Sequence, residues 1–309
     1  MGSNIKLSAV LAALAAVGVA QPAHADGKAW RVDLEAGVLY DSNVDVEEND
    51  SSSSIADSAA TFEIDAAYKL VDSENSRIEL GYKFFQSLYQ DLSAFNYQTH
   101  KPELSAWTKL GAVKLGVAYM YSNAQYDGAF FQQQHVFTPS ISGMLTDNIH
   151  FMATYRYVDK NYNVADNRRD AQSQQPGGDL KFFFDKANKG YVSVGGTYTL
   201  EDASDAAYDY DGLTGRAAVQ FPVAVFGKDG LLKFSYAYLM RDYDDITSTP
   251  VLIGEKREDR RHTFRAQGEV EVTANLTAIA EYRFVDRSSN LASANYSESI
   301  ASGALRYGF

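Results

Sequence analysis

The sequence predicts an all-β protein: a transmembrane antiparallel up-and-down β-barrel of about 14 strands, entered after a cleaved signal peptide. Three observations predict it. Hydrophobicity alternates with period two from residue 30 to the C-terminus, connections alternate between short and long, and aromatic residues gather at one end of the strands that leave the short turns.

The N-terminus has the layout of a processing segment. Lys6 supplies a positive start, Leu7 to Ala20 form an apolar run too short to span a bilayer comfortably, and Ala23-His24-Ala25 is an A-x-A cleavage site. Residues 1–25 are therefore assigned to the signal peptide and 26–309 to the barrel. Asp26, not Cys, follows the site, so the mature chain is not expected to be lipidated.

Composition narrows the class. The chain has 309 residues, no Cys, 21 Tyr, 17 Phe and a formal charge of −12. Without cysteine there is no disulfide framework and no thiolate chemistry. The acidic balance argues against nucleic acid as a partner. Mean hydropathy is negative, which excludes a helical membrane bundle but suits a barrel, where only alternate strand residues face lipid.

The strands follow in order. The first sets Trp30, Val32, Leu34, Ala36, Val38 and Tyr40 against Arg31, Asp33 and Glu35. The second sets Phe62, Ile64, Ala66 and Tyr68 against Glu63, Asp65 and Lys69; the third sets Ile78, Leu80, Tyr82 and Phe84 against Arg77, Glu79 and Lys83. Strands are expected near 30–43, 59–70, 77–90, 97–109, 112–125, 134–145, 149–159, 177–184, 190–200, 211–221, 231–242, 260–272, 276–286 and 296–309. An even number suits a bacterial single-chain barrel with both ends in the periplasm. Short turns are expected at 72–76, 110–111, 146–148, 185–189, 222–230 and 273–275. Longer polar connections, including 45–57, 159–176, 201–210 and 243–259, should form the outer loops.

Strands that leave a short turn begin aliphatic and end aromatic. Val113 and Leu115 lead to Tyr119 and Tyr121, and Ile149 and Phe151 lead to Tyr155 and Tyr157. Leu232 leads through Phe234 to Tyr236 and Tyr238, and Leu276 leads to Tyr282 and Phe284. Tyrosine favours headgroup depth, where its ring is apolar and its hydroxyl stays wet, so these ends should form the outer aromatic girdle. A soluble β-sandwich explains aromatics in strands but not their bias to one end. The last strand ends Leu305, Tyr307, Phe309, which resembles the signal read by the barrel-assembly machinery of Gram-negative bacteria.

The opposite face carries both signs of charge. It holds Arg31, Asp33, Glu35, Glu63, Asp65, Arg77, Glu79, Lys83, Glu103, Arg156, Arg216, Arg265, Glu269, Glu281, Arg283 and Arg306, with Lys109, Asp179, Lys181 and Glu271 beside them. Each would cost roughly 2–4 kcal/mol facing lipid near the midplane, so the set should line a hydrated or internally paired lumen. A wall of ion pairs that stiffens the barrel and a path for solutes both fit these residues.

Two outer loops are acidic: Asp41, Asp45, Glu47, Glu48, Asp50 and Asp57 in one, Glu201, Asp202, Asp205, Asp209 and Asp211 in another. They lack EF-hand spacing, and no metal site or cofactor is expected. Arg168, Arg169, Arg257, Arg260 and Arg261 lie in or beside other outer loops, where they can meet lipid or lipopolysaccharide phosphates; the sequence alone does not decide. The mature histidines, His100, His135, His150 and His262, each fall on a different expected strand, and no H-E-x-x-H, nucleophile elbow or phosphate loop appears. An enzyme is not expected.

Tyr40-Asp41-Ser42-Asn43-Val44, at the top of the first strand, resembles the "YDSNV" element of barrels in the surface lipoprotein assembly modifier family and related porin-like outer-membrane barrels. The stretch Tyr82–His100, with Phe84, Tyr89, Phe95, Gln98 and His100, is similar to theirs as well. The resemblance implies a barrel of fourteen strands in the outer membrane of a Gram-negative bacterium, with a periplasmic or surface-lipoprotein partner. The expected function is porin-like passage of ions or small polar solutes. The alternatives are a barrel for surface lipoprotein or polysaccharide export, or a structural or adhesive surface barrel.

Overall fold

A computed structural model describes residues 28–46, 51–163, 165, 167–185, 187, 189–244 and 255–309. The expected signal peptide, residues 1–25, lies outside them. Strands run over Trp30–Asp41 (β1), Asp45–Val46 (β2), Ser51–Ser52 (β3), Asp57–Asp72 (β4), Ser76–Tyr89 (β5), Tyr97–Leu110 (β6), Val113–Tyr126 (β7) and Ala129–Thr146 (β8). They continue with Ile149–Tyr162 (β9), Ala171–Phe183 (β10), Tyr191–Ala203 (β11), Tyr210–Val225 (β12), Lys228–Tyr243 (β13), Glu258–Glu271 (β14), Leu276–Ser289 (β15) and Tyr296–Gly308 (β16).

All but β2 and β3 close into one antiparallel barrel of fourteen strands, each paired with its neighbour in sequence. The seam joins β1 to β16 in a register running from Asp33↔Gly308 to Asp41↔Ile300. Closure matters because hydrocarbon offers nothing to an unpaired N–H or C=O. The short pair β2–β3 sits in the first outer loop.

Every expected strand is present, and several run further than hydrophobicity indicates. β8 begins at Ala129 and β10 at Ala171, while β12 and β13 extend to a two-residue turn. The outer connection before β8 is therefore only Asp127-Gly128 (φ 48° and 76°), and the turn expected over 222–230 is Phe226-Gly227 (φ 51° and 75°). Positive φ at both central residues is the type I′ geometry, whose twist matches that of the flanking strands. The outer loops shrink accordingly, to 163–170, 204–209 and 244–257. The physical reason is that a bilayer needs only about 9–11 residues per tilted strand, whereas β8 has 18. The surplus stands in water, where the backbone still pairs but neither face needs apolar side chains.

The interior is not a conventional core. The large apolar side chains point outward: Val117 is 39% exposed and Val194 53% exposed in the isolated chain. Packed clusters occur at the outer rim. Val44, Ala59 and Tyr89 pack with Leu39, Leu92 and Phe95, and Ala124 and Phe131 pack with Phe95, Tyr97, Tyr126 and Tyr162.

Candidate functional site: a charged lumen

Strand register fixes which residues share the inner face. Asp33↔Asp65, Asp65↔Lys83 and Lys83↔Lys101 are directly cross-strand, as are Arg265↔Arg283 and Glu35↔Arg306. Side chains alternate along each strand, so the charged positions singled out in the sequence lie on one side of the wall and the aliphatic ones on the other.

Most of these charges are paired. Arg31 reaches both Asp33 and Asp65, and Asp65 also takes Lys83 at 3.1 Å. Arg306 bridges Glu35 at 3.2 Å and Glu269 at 3.3 Å, Arg265 holds Glu281 at 2.7 Å, and Arg283 reaches Glu298 at 3.4 Å. Many of these groups line a cavity of about 480 Å³ beside β1, β4, β15 and β16. Its lining runs from Arg31, near the periplasmic end of β1, to Leu39 and Ile300, near the outer end of the wall. On the other side of the barrel Arg216 grips Asp179 with two bonds, Nε at 2.8 Å and Nη2 at 2.6 Å. Arg77 pairs with Asp72 at 2.7 Å at the periplasmic rim. Among the described residues no ion pair holds Glu63, Glu79, Glu103 or Arg156.

The outer half differs. Two adjoining cavities of about 330 and 340 Å³ share Gln134, Lys160, Tyr210, Arg241 and Arg261. Arg156 lines the deeper one and hydrogen-bonds Gln175 Oε1 at 3.2 Å. The β8–β9 ladder skips from Phe137↔Tyr157 to Ser140↔Thr154, so Arg156 sits opposite a break made by Pro139, which has no N–H to give. Short outer loops roof this region: Ser204 N–H bonds Asp170 O at 2.7 Å, Asp205 N–H bonds Arg168 O at 3.1 Å, and the Arg169 guanidinium lies 4.4 Å from the Tyr208 ring centre. In that roof, burial pushes the Asp209 carboxyl above its ordinary range although it accepts the Ala203 N–H at 2.6 Å.

Sequence reasoning left Arg257, Arg260 and Arg261 undecided. The structure separates them. Arg260 faces outward and pairs with Asp242 at 2.7 Å, Arg257 is buried against Asp259 at 2.9 Å, and Arg261 lines the outer cavities. Lys160 and Arg241 were not singled out at all. Strand parity carried the signal: Lys160 lies just beyond the strand expected over 149–159, and Arg241 lies at the end of the one expected over 231–242.

The profile of the surface lipoprotein assembly modifier family matches residues 30–301. The chain belongs to that family. No curated protein sequence matches it. Among solved structures, an anion-selective porin from Comamonas acidovorans superposes with a TM-score of 0.53 at 8% identity, covering 91% of this chain and 98% of the porin. A bacterial polysaccharide outer-membrane secretin gives 0.50 at 8% identity, covering 90% and 98%. OmpT, an outer-membrane protein of Vibrio cholerae, gives 0.50 at 9% identity, covering 92% and 99%. At such identities the likeness is one of fold. This member of the surface lipoprotein assembly modifier family is thus a porin-like β-barrel of the Gram-negative outer membrane.

The family element Tyr40–Val44 has a structural task in this surface lipoprotein assembly modifier barrel. Ser42 N–H bonds Ser299 O at 3.0 Å, Ser299 N–H bonds Ser42 Oγ at 2.8 Å, and the Asn43 side-chain amide bonds Ser297 O at 3.2 Å. These bonds staple the top of β1 to the top of β16. Asp41, only 2% exposed, accepts Asn43 N–H at 2.9 Å and the Tyr89 hydroxyl at 3.2 Å, and Val44 is 1% exposed in the rim cluster. Asp57 accepts three backbone N–H groups, from Ser58, Asp91 and Leu92. The described carboxylates of the acidic first loop therefore include two with structural work; Glu47, Glu48 and Asp50 lie outside the described residues.

The lipid face shows a repeated device. Tyr82, Tyr119 and Tyr236 bond His100, His135 and His262 through Nδ1 at 2.7, 2.7 and 2.8 Å. Tyr155, Tyr198 and Tyr282 bond Gln174, Asp211 and Ser299 at 2.8, 3.0 and 3.1 Å. Each tyrosine reaches diagonally to the next strand, two positions from its direct partner, giving every such hydroxyl a partner at the lipid boundary. Tyr121 and Tyr238 lie one pleat further out, with ring centres 5.2 and 4.7 Å from those of His135 and His262. Tyr157 shares that height, opposite Phe137 and Gln174. At the other end, Leu305 and Tyr307 face outward, the Tyr307 and Phe309 rings meet edge-on at 5.0 Å, and Phe309 N–H bonds Val32 O at 3.0 Å.

Proposed function

We propose that this barrel is a channel that passes ions or small polar solutes through its charged lumen. One observation carries the reading: the inner wall is lined by ionised side chains around cavities of about 480, 330 and 340 Å³ that those side chains leave unfilled. Hydrated, charged walls of this kind are what a polar solute needs in order to cross without losing its water unaided. The reading assigns no catalytic step, in keeping with His100, His135 and His262 being engaged by tyrosines on the lipid face. It sets lipopolysaccharide beside the tyrosine belt, and the assembly machinery at Leu305, Tyr307 and Phe309 during insertion. Purified protein in a planar lipid bilayer is expected to give stepwise ion current. Current no greater than that of lipid alone removes the reading.

A second reading is supported by the family match over residues 30–301: a barrel that assists display of a surface lipoprotein, with a periplasmic or lipoprotein partner. It predicts that deletion depletes one or more lipoproteins from the cell surface while total lipoprotein is unchanged. Undiminished display in the deletion strain counts against it.

A further inference from the structure

Two side chains that line the outer cavity of about 330 Å³ each leave one buried polar atom without a hydrogen bond, and the two atoms are of opposite kinds. Gln132 on β8 is 5% exposed. Its Oε1 takes the Gln134 amide at 2.6 Å, while its Nε2 donates to no group among the described residues. The Glu201 side chain on β11 is 7% exposed. Its Oε1 is held by Lys160 at 2.5 Å, while its Oε2 accepts from none of them. Each side chain is therefore fixed through one atom, and the other is left with a direction but no partner. An unmet buried donor or acceptor is costly, and a ligand group that satisfies it recovers that cost.

The pair selects a ligand by elimination. An anion meets the Gln132 donor but faces the Glu201 carboxylate, and a cation meets the carboxylate but not the donor. An apolar molecule meets neither. Hydroxyl groups meet both, since a hydroxyl accepts from an amide and donates to a carboxylate. A single water has the same chemistry, but its share of volume is ~30 Å³, and the cavity is about 330 Å³, within the ~300–1,000 Å³ range of small-molecule sites. Four tyrosines share the lining: Tyr162 from β9, Tyr208 from the 204–209 loop, Tyr210 from β12 and Tyr243 from β13. The Tyr210 and Tyr243 ring centres are 5.3 Å apart, and Arg169 braces Tyr208 at 4.4 Å from its ring centre. Tyrosine offers a stiff, amphipathic contact surface with few rotamers to freeze. Such rings meet the C–H face of a sugar, whose hydroxyl edge is then free for the amide and the carboxylate. A linear polyol has the hydroxyls without the face.

We propose that the outer cavity lined by Gln132 and Glu201 binds one ring of a neutral saccharide, its hydroxyls meeting the Gln132 amide and the Glu201 carboxylate and its flat face meeting the tyrosines. The inference deepens the channel reading by naming a solute class, and it rests on that reading only for onward passage; binding itself needs no conduction.

The test is a saturation-transfer NMR titration of the full chain, in a detergent without a sugar headgroup, with glucose, galactose, N-acetylglucosamine, sorbitol and sodium glucuronate. The best of the three neutral sugars is expected to bind at least fivefold more tightly than sorbitol or glucuronate. Gln132→Met should weaken that sugar roughly fivefold, the size of one hydrogen bond. Tyr208→Ala should weaken it by a similar factor, and Tyr208→Phe, which keeps the ring, should recover most of the loss. Lys228→Gln, at the far periplasmic turn, should bind as the unaltered chain does. Heat-modifiable gel mobility shows that each variant has folded; Tyr208 lies in a loop outside the barrel wall, so its variants carry the test if Gln132→Met does not fold. No transfer to any of the three sugars, sorbitol binding as tightly as the best of them, or a folded Gln132→Met or Tyr208→Ala protein with unaltered affinity overturns the proposal. Glucuronate binding more tightly than the neutral sugars overturns the assignment of a neutral ligand. A chain that conducts but ignores all three sugars loses this inference alone, and one that binds a sugar but carries no current loses the channel alone.

Discussion

The two sides of the lumen use ionised side chains differently. Beside the seam, Arg306 ties β16 to β1 and β14 through Glu35 and Glu269, and Asp65 ties β4 to β1 and β5 through Arg31 and Lys83. Such charges cross-link neighbouring strands, and their fields largely cancel. On the opposite wall Arg156 makes no ion pair among the described residues and bonds Gln175. The contrast teaches that charge in a barrel wall serves two purposes that sequence cannot tell apart: opposite signs at cross-strand distance hold the wall together, and a charge outside those pairs is left to act on what enters.

That contrast can be broken in steps of decreasing size. The largest effect is expected at the rim, where Asp259, 2% exposed, is held by Arg257 at 2.9 Å and Arg287 at 2.6 Å. Asp259→Ala removes a buried carboxylate shared by two buried guanidinium groups and should cost about 3–5 kcal/mol, measured as a shift in the urea midpoint of the detergent-folded barrel; a change under 1 kcal/mol would show that the cluster is not a supporting one. Arg306→Gln is next. Its partners are about a quarter to a third exposed, so each bridge is worth about 1 kcal/mol or less. The same change removes a cation that opposes the facing carboxylates Glu35 and Glu63 and should turn the reversal potential in a salt gradient towards cation preference. Arg156→Gln should be the smallest in stability, within about 0.5 kcal/mol, while still moving the reversal potential towards cations. A destabilisation as large as that of Asp259→Ala would place Arg156 among the wall-building charges and erase the distinction.

Much of the barrel was legible because one solvent boundary dictates it. Alternation from Trp30 to Tyr40 or from Ile78 to Phe84 follows directly from lipid on one side and water on the other, and the strand number, pairing direction and tyrosine level come with it. Legibility ends where strands leave the bilayer. Gln132, Gln133 and Gln172 to Gln175 are strand residues that are polar on both faces, so no hydrophobic period marks them. The outer cavities are built partly from such residues, Gln132 and Gln175 among them, and Lys160 lies just past the last residue that alternation marks. The sequence assigned the histidines no role, and only the diagonal geometry shows His135 hydrogen-bonded to the Tyr119 hydroxyl.

The staple between Ser42, Asn43 and the β16 backbone has a bearing on biogenesis. Its two halves are 257 residues apart for Ser42 and Ser299, so an early part of the polypeptide waits for nearly the last. Contacts over such a span are among the costliest in chain entropy to close. The first segment therefore stays unsatisfied until translocation and insertion are almost complete, and a chain cut short before Ser297 cannot be sewn shut. Quality control is thus written into the ends themselves: a cylinder that holds together has proved that all of it arrived.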